Sequence, residues 1–394
     1  MKGVGGAAGL TVSTHAPSPL VFAALGTLVF LNVYAPQSLL PVLATEFQAG
    51  AAGVGFVVGA TTLAMALASP LVGVLADALG RRSTVIWAFA LLALPAVLAA
   101  FAPTLAALNA ARFAQGLLIP GVMVALNALI AEEVPAAGRA RALTMYVTGT
   151  VLGGFLGRFL AGLVAVRWGW HAAFWLLAAT SLAGFGLARR ALPAEREFLP
   201  QRDLRSVLAG LGAHLRNARL LATCAVGFLI LFTLVGTFNT LTLRLAAPPY
   251  ALNTAQTGLV FAVYLLGVVI TPVAGPLLAA RGPRFALLSA VGASILGLLL
   301  TLAEPLGVVI AGVAAGACGV FLAQSAALSA VQREVTRARS LASGLYHLAY
   351  YGGAAAASVV AGHTFEAGGW PAVVALVVGS MVLAGVVGGL GWRR

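Results

Sequence analysis

The chain has 394 residues, of which 61% are hydrophobic and 8% charged, and its mean hydropathy is +1.02. Soluble domains carry about 45–50% apolar residues, so this composition excludes an ordinary water-soluble globule and leaves an integral membrane protein. The formal net charge of +13 would suggest nucleic acid in a soluble protein, but the basic residues are spread over many loops without an aromatic-lined groove or a recognition helix, which argues against that partner.

A helix needs about 20 apolar residues to cross roughly 30 Å of hydrocarbon. Twelve such runs are read, at 20–43, 54–76, 83–101, 104–130, 140–166, 171–188, 221–245, 254–280, 284–303, 305–331, 341–364 and 370–390. Lipid offers backbone groups no partner, so all twelve are expected to be helices. Most of the 23 Lys and Arg residues fall at Lys2, in the even-numbered turns and at Arg393 and Arg394, whereas the opposite turns carry almost none, Arg167 excepted. Basic loops stay in the cytoplasm, which puts both termini inside. The first run is too long for a signal-peptide core and is expected to stay attached. Cys224 and Cys318 both sit within spans and are not expected to pair.

The first span holds Asn32, Tyr34, Pro36, Gln37, Ser38 and Pro41. Its prolines disturb the hydrogen-bond ladder and its amides need partners, so this face looks inward. Substrate contact and helix-to-helix bonding are both open for it. After the second span comes Gly73-Val74-Leu75-Ala76-Asp77-Ala78-Leu79-Gly80-Arg81-Arg82, which reads GxxxDxxGRR. The stretch resembles the loop between helices 2 and 3 of the major facilitator superfamily of secondary transporters. That resemblance implies a cytoplasmic gate made by Gly73, Asp77, Gly80, Arg81 and Arg82, with Glu132, Glu133 and Arg139 of the next inside turn close by.

The fourth span carries Asn109, Arg112, Gln115 and Gly116. An arginine at this depth costs about 3 kcal/mol unless it faces a polar interior. Arg112 to Gly116 also resembles the RxxQG motif of the same superfamily, implying a part in proton coupling or substrate binding. In the fifth span Gly149, Gly153 and Gly157 recur every fourth residue, a spacing that lets a neighbouring helix approach closely. The segment resembles the antiporter motif GxxxGPxxGG with two departures, Gly154 at the proline and Arg158 at the last glycine. Arg112 and Arg158 each lie eight residues from a span end, about 12 Å below the outer surface.

The stretch 189–219 is the longest polar one and reads as a cytoplasmic linker; Leu204, Val207, Leu208, Leu211 and Leu215 suggest an amphipathic helix within it. It divides the chain into six-helix bundles at 1–188 and 220–394. The parts repeat: a shift of 200 pairs Gly153 with Gly353, Gly162 with Gly362 and Gly169-Trp170 with Gly369-Trp370, and a shift of 202 pairs Gly80 with Gly282 and Gln37 with Asn239. Parallel repeats of this kind belong to transporters. Charge does not repeat, since Asp77 matches Ala279 and Arg158 matches Ser358. Asn239 and Arg244 add a polar rim to the seventh span, and His347, Tyr350 and Tyr351 crowd the eleventh, where the histidine is either hydrogen-bonded filler or a proton carrier.

All ten acids fall in turns or at span ends, so the interior is positive through Arg112 and Arg158. Two like charges at low dielectric need a water-filled cavity or a bound anion between them. The expected protein is an all-α monomer with twelve transmembrane helices in two pseudo-symmetric bundles around a central cavity. The candidate substrate or coupling residues are Arg112, Arg158, Gln37, Asn32, Tyr34, Gln115, Asn239, Arg244, His347 and Tyr350. The motif set resembles the drug:proton antiporters of bacterial inner membranes, which implies proton-coupled export of a drug or metabolite. The missing interior acid points instead to uptake or facilitated diffusion of a small organic anion. An enzyme is not expected: the five histidines have no metal-ligand spacing, and neither metal nor cofactor is implied.

Overall fold

The structure, a computed structural model, describes residues 18–193, 212, 214–334 and 339–392; the side chains at 73, 74, 77, 272, 339 and 340 stand outside that description. The expected linker helix, and Gly73 and Asp77 as gate residues, therefore fall outside the described residues. The described secondary structure is helical throughout. It opens with α1 (Pro19–Tyr34), a 3-10 segment (Ala35–Leu39) and α2 (Leu40–Glu46), followed by α3 (Ala51–Leu79), α4 (Arg81–Ala100), α5 (Leu105–Glu133) and α6 (Ala136–Ala191). Beyond the linker come α7 (Ala218–Ala246), α8 (Thr254–Val260), a second 3-10 segment (Phe261–Leu265), α9 (Leu266–Leu300), α10 (Leu306–Glu334) and α11 (Arg339–Gly391).

Among the described residues, 10 helices are long and apolar enough to cross a membrane. The twelve expected spans become ten because 140–166 and 171–188 share α6, while 341–364 and 370–390 share α11. A single non-helical residue bends each of these long elements, Gly169 at φ 79° and Gly369 at φ 64°. Gly80, between α3 and α4, has φ 88°, and its repeat partner Gly282 bends α9 at φ 78°. Side chains disfavour this region of φ, and glycine reaches it without cost, so one residue suffices for a turn.

Local chemistry starts the helices where the pattern asks for them. The Thr104 hydroxyl accepts from Ala107 N, Asn217 caps α7, and Asn253 with Gln256 forms a capping box on α8. Pro36 brings no amide donor to the first span, which tightens there into a 3-10 segment. The outer surface is apolar: on α4 Trp87, Leu91, Leu94 and Leu98 are exposed while Phe89, Leu92 and Ala96 are buried, the spacing of a lipid-facing stripe.

Glycines set the close packing. A Cβ on Gly149, Gly153 or Gly157 would run into the backbone of Ala23, Thr27 or Leu31, so α6 lies directly on α1; Gly154 faces the Arg158 guanidinium instead. The repeat partner of Gly153, Gly353, sits in the same way on the Phe228 backbone of α7. We expect Gly153→Leu to lose the monodisperse peak in fluorescence-detected size exclusion, because backbone cannot yield to a side chain there. Gly186→Ala, which meets open space, keeps it.

At the end of the molecule opposite Arg81 and Arg333, the N-terminal and C-terminal parts seal against each other through repeat-related glycines. Gly162 meets the Thr254 backbone while Gly362 meets Ala52, and Gly55 meets the Ser358 carbonyl while Gly258 meets that of Arg158.

Candidate functional site

Arg158 lies fully buried beneath this seal. Its Nε donates to Gln37 Oε1 at 2.6 Å and its Nη1 to the Gly154 carbonyl one turn back. Aromatic faces complete its surroundings: the guanidinium carbon is 4.2 Å from the ring centre of Tyr264, 4.6 Å from Phe261 and 4.7 Å from Tyr34. Each such contact is worth about 0.5–2 kcal/mol, the upper end applying when water is excluded. Both 3-10 segments meet here, the first bringing Gln37 and the second Phe261 and Tyr264. Nη2 and the Tyr264 hydroxyl are buried within reach of each other, and neither has any other hydrogen-bond partner.

Gln37 extends the site. Its Nε2 donates to Asn239 Oδ1 at 2.7 Å, and Asn239 Nδ2 donates to Ser358 Oγ at 3.2 Å and to the Gly55 carbonyl at 3.5 Å. Ser38 Oγ donates to the Arg158 carbonyl at 2.7 Å. All these groups are buried.

Arg112 is equally buried, and its nitrogens meet acceptors of the protein itself. Its Nη2 donates to the Val33 carbonyl at 2.7 Å, Nη1 to the Asn32 carbonyl at 2.9 Å and to Gln115 Oε1 at 2.5 Å, and Nε to the Val57 carbonyl at 3.4 Å. Every nitrogen is engaged, so the charge is compensated by carbonyl dipoles and ties α1, α3 and α5 together. The second repeat has lost this clamp. Helices α5 and α10 begin 201 residues apart, which matches Arg112 with Val313 and Gln115 with Gly316. Val313 and Gly316 line a small cavity with Thr233, Thr237 and Ser294.

The other sequence-level candidates divide. Asn32 donates to the Leu28 carbonyl of its own helix at 3.2 Å and accepts from Ser181 of α6 at 3.5 Å. Arg244 is not brought to Arg158. It holds the Thr301 and Ala303 carbonyls and the Tyr250 hydroxyl, with the Trp370 ring 5.3 Å from its guanidinium carbon. His347 stands between Tyr346 and Tyr351, its Nδ1 2.8 Å from the Ser343 carbonyl, and Tyr350 stacks on Tyr346. At the basic end Arg81 pairs with Glu132, and Arg82 donates to the Leu192 and Arg189 carbonyls at 3.1 and 3.0 Å. Arg139 reaches only the Val134 carbonyl of its own turn, at 3.4 Å, and Glu133 adjoins the paired Glu132.

Sequence reasoning missed Phe261 and Tyr264. Their signal was present, since a tyrosine hydroxyl within an apolar span needs a reason to be there; the reason is Arg158, which is remote in sequence.

The profile of the Major Facilitator Superfamily matches residues 22–252. The inner membrane transport protein YnfM of Escherichia coli (strain K12) is 29% identical over 365 residues, covering 92% of this chain and 87% of that protein. A gentisate transporter of Corynebacterium glutamicum is 28% identical over 166 residues, covering 41% and 37% respectively. The crystal structure of the nucleoside transporter NupG superposes with a TM-score of 0.75 at 16% identity, covering 95% of this chain and 99% of that one, a likeness of fold alone.

Proposed function

The chain belongs to the Major Facilitator Superfamily, and from that premise and the Arg158 site we propose a secondary transporter of a small organic anion. Counting α6, α9 and α11 as two arms each at Gly169, Gly282 and Gly369 gives twelve spans, six on either side of the linker at 189–219. The two bundles rock about a central site in a monomer. With the basic ends cytoplasmic, both termini are inside, the glycine seal faces outward, and Arg81 with Glu132 belongs to the inner gate. A bacterial inner membrane is supported by the likeness to YnfM.

The observation that carries the reading is the buried Arg158, with one nitrogen that meets nothing but the Tyr264 hydroxyl and three aromatic faces around it, no acid of the described residues being near. A carboxylate or sulfonate matches that donor, and an aromatic or apolar body matches the rings. The partial likeness to a gentisate transporter supports the same class. A second reading, proton-coupled export of a drug or metabolite, draws on His347. With Nδ1 held by the Ser343 carbonyl, its Nε2 is the position for a proton.

Counterflow in proteoliposomes tests the choice. Vesicles preloaded with 4-hydroxybenzoate should take up labelled 4-hydroxybenzoate and benzenesulfonate saturably, each competing with the other. Failure of both anions, with lipophilic cations releasing protons from a pH dye, would transfer the case to the second reading.

A further inference from the structure

We infer that Gln37 and Asn239 form a latch that couples occupancy of Arg158 to opening of the sealed end; the inference rests on the anion reading of Arg158 for its trigger only. The two residues are repeat partners, 202 positions apart, and they bond directly to each other. Arg158 and Ser358, repeat partners 200 apart, bond to the outer side of each. The result is one chain of side chains, Arg158 to Gln37 to Asn239 to Ser358, running across the pseudo-symmetry axis from the N-terminal part into the C-terminal part.

Its polarity is fixed at both ends. A guanidinium only donates, so Gln37 must turn its oxygen to Arg158 and its nitrogen to Asn239. The Gly55 and Ala354 carbonyls only accept, so Asn239 must present its nitrogen to Gly55 and Ser358, and the Ser358 hydroxyl must donate to Ala354, 2.9 Å away. Neither amide can flip without setting donor against donor. Sealing between the two parts is thus bonded, through Gln37, to the side chain that would meet the anion.

An anion that draws the Arg158 guanidinium toward itself strips Gln37 Oε1 of its partner. Gln37 then loses the orientation that serves Asn239, and the bond between the two parts weakens at the depth where they must separate. Repetition of the chain with serine in place of a second arginine leaves a single trigger.

The test uses full-length protein with Cys224→Ala and Cys318→Ala and a reporter, Ala52→Cys, buried under Gly362 at the seal. Labelling by a membrane-impermeant maleimide is followed with and without 4-hydroxybenzoate. In the parent the anion speeds labelling. Asn239→Leu, which cannot bond to Gln37, labels about three- to tenfold faster without ligand, the range for one net hydrogen bond, and gains nothing further from the anion. Asn239→Asp, which sets a carboxylate oxygen against the Gly55 carbonyl that Asn239 donates to, also labels faster than the parent. Should the leucine variant fail to fold, Ser358→Ala removes the next bond along and is expected to change labelling in the same direction. Parent-like rates in Asn239→Leu or, in its place, Ser358→Ala, with the ligand response intact, overturn the latch. If the anion does not bind the parent, the substrate reading fails, and the latch is still judged on the ligand-free rates.

Discussion

Arg158→Lys is expected to abolish 4-hydroxybenzoate counterflow although it keeps the positive charge. Lysine is a compact ammonium on a flexible stem, whereas the arginine site uses a planar fork: one nitrogen to Gln37, one to Gly154, one beside the Tyr264 hydroxyl, with three rings around it. An ammonium that reaches Gln37 leaves the Gly154 carbonyl and loses its fit to the rings. Each hydrogen bond to a charged group is worth about 1.5–3 kcal/mol, so losing the substrate's bond alone lowers affinity by roughly 10- to 150-fold. Arg158→Met loses transport as well, because no donor remains. Initial rates over a concentration series, normalised to reconstituted protein, provide the check. Parent-like counterflow in Arg158→Met would show that the charge serves only the fold.

Arg112→Ala has the opposite signature, a loss of the folded protein with the transport per folded molecule kept. Removing the guanidinium leaves the carbonyls of Asn32, Val33 and Val57 and the Gln115 amide buried without their donor, and opens a void between α1, α3 and α5. Breaking a compensated buried charge cluster typically costs about 3–5 kcal/mol, a large share of the roughly 5–15 kcal/mol by which proteins are stable. Melting of the detergent-solubilised variant should drop by about 5–15 °C. Arg112→Lys, which can satisfy part of the carbonyl set, should fall between. A variant that melts with the parent but does not transport would return Arg112 to the substrate path.

These two predictions diverge although the sequence treats the residues alike. Both arginines lie eight residues from a span end, both in apolar helices, and both within a recognisable motif. What separates them is the acceptor: Arg112 is closed off by main-chain carbonyls of α1 and α3, and every residue has a carbonyl, so no side-chain pattern announces it. Arg158 is surrounded by rings from remote spans, Tyr34 of the first and Phe261 and Tyr264 about a hundred residues further on. Repeat-related features were far easier to read, because duplication compares the sequence with itself. Gly169 with Gly369, Gly80 with Gly282, and Gln37 with Asn239 were all pairable by their spacing, and the first four proved to be glycines of positive φ. That Gln37 and Asn239 touch needed coordinates, since a shared repeat position does not place two residues near the axis. The expected separation of spans failed only where one glycine replaced a loop.

The glycine seal has a mechanical consequence. Gly55, Gly162, Gly258 and Gly362 bring main chain against main chain, so at these four positions no side chain interlocks. Such faces hold by dispersion over a short range and let go together, without any rotamer having to swing clear first. Polar ties across them, among them Thr254 to the Gly162 carbonyl, Ala52 N to Glu366, Asn239 to the Gly55 carbonyl and Gln37 to Asn239, then act as clasps on the closed end.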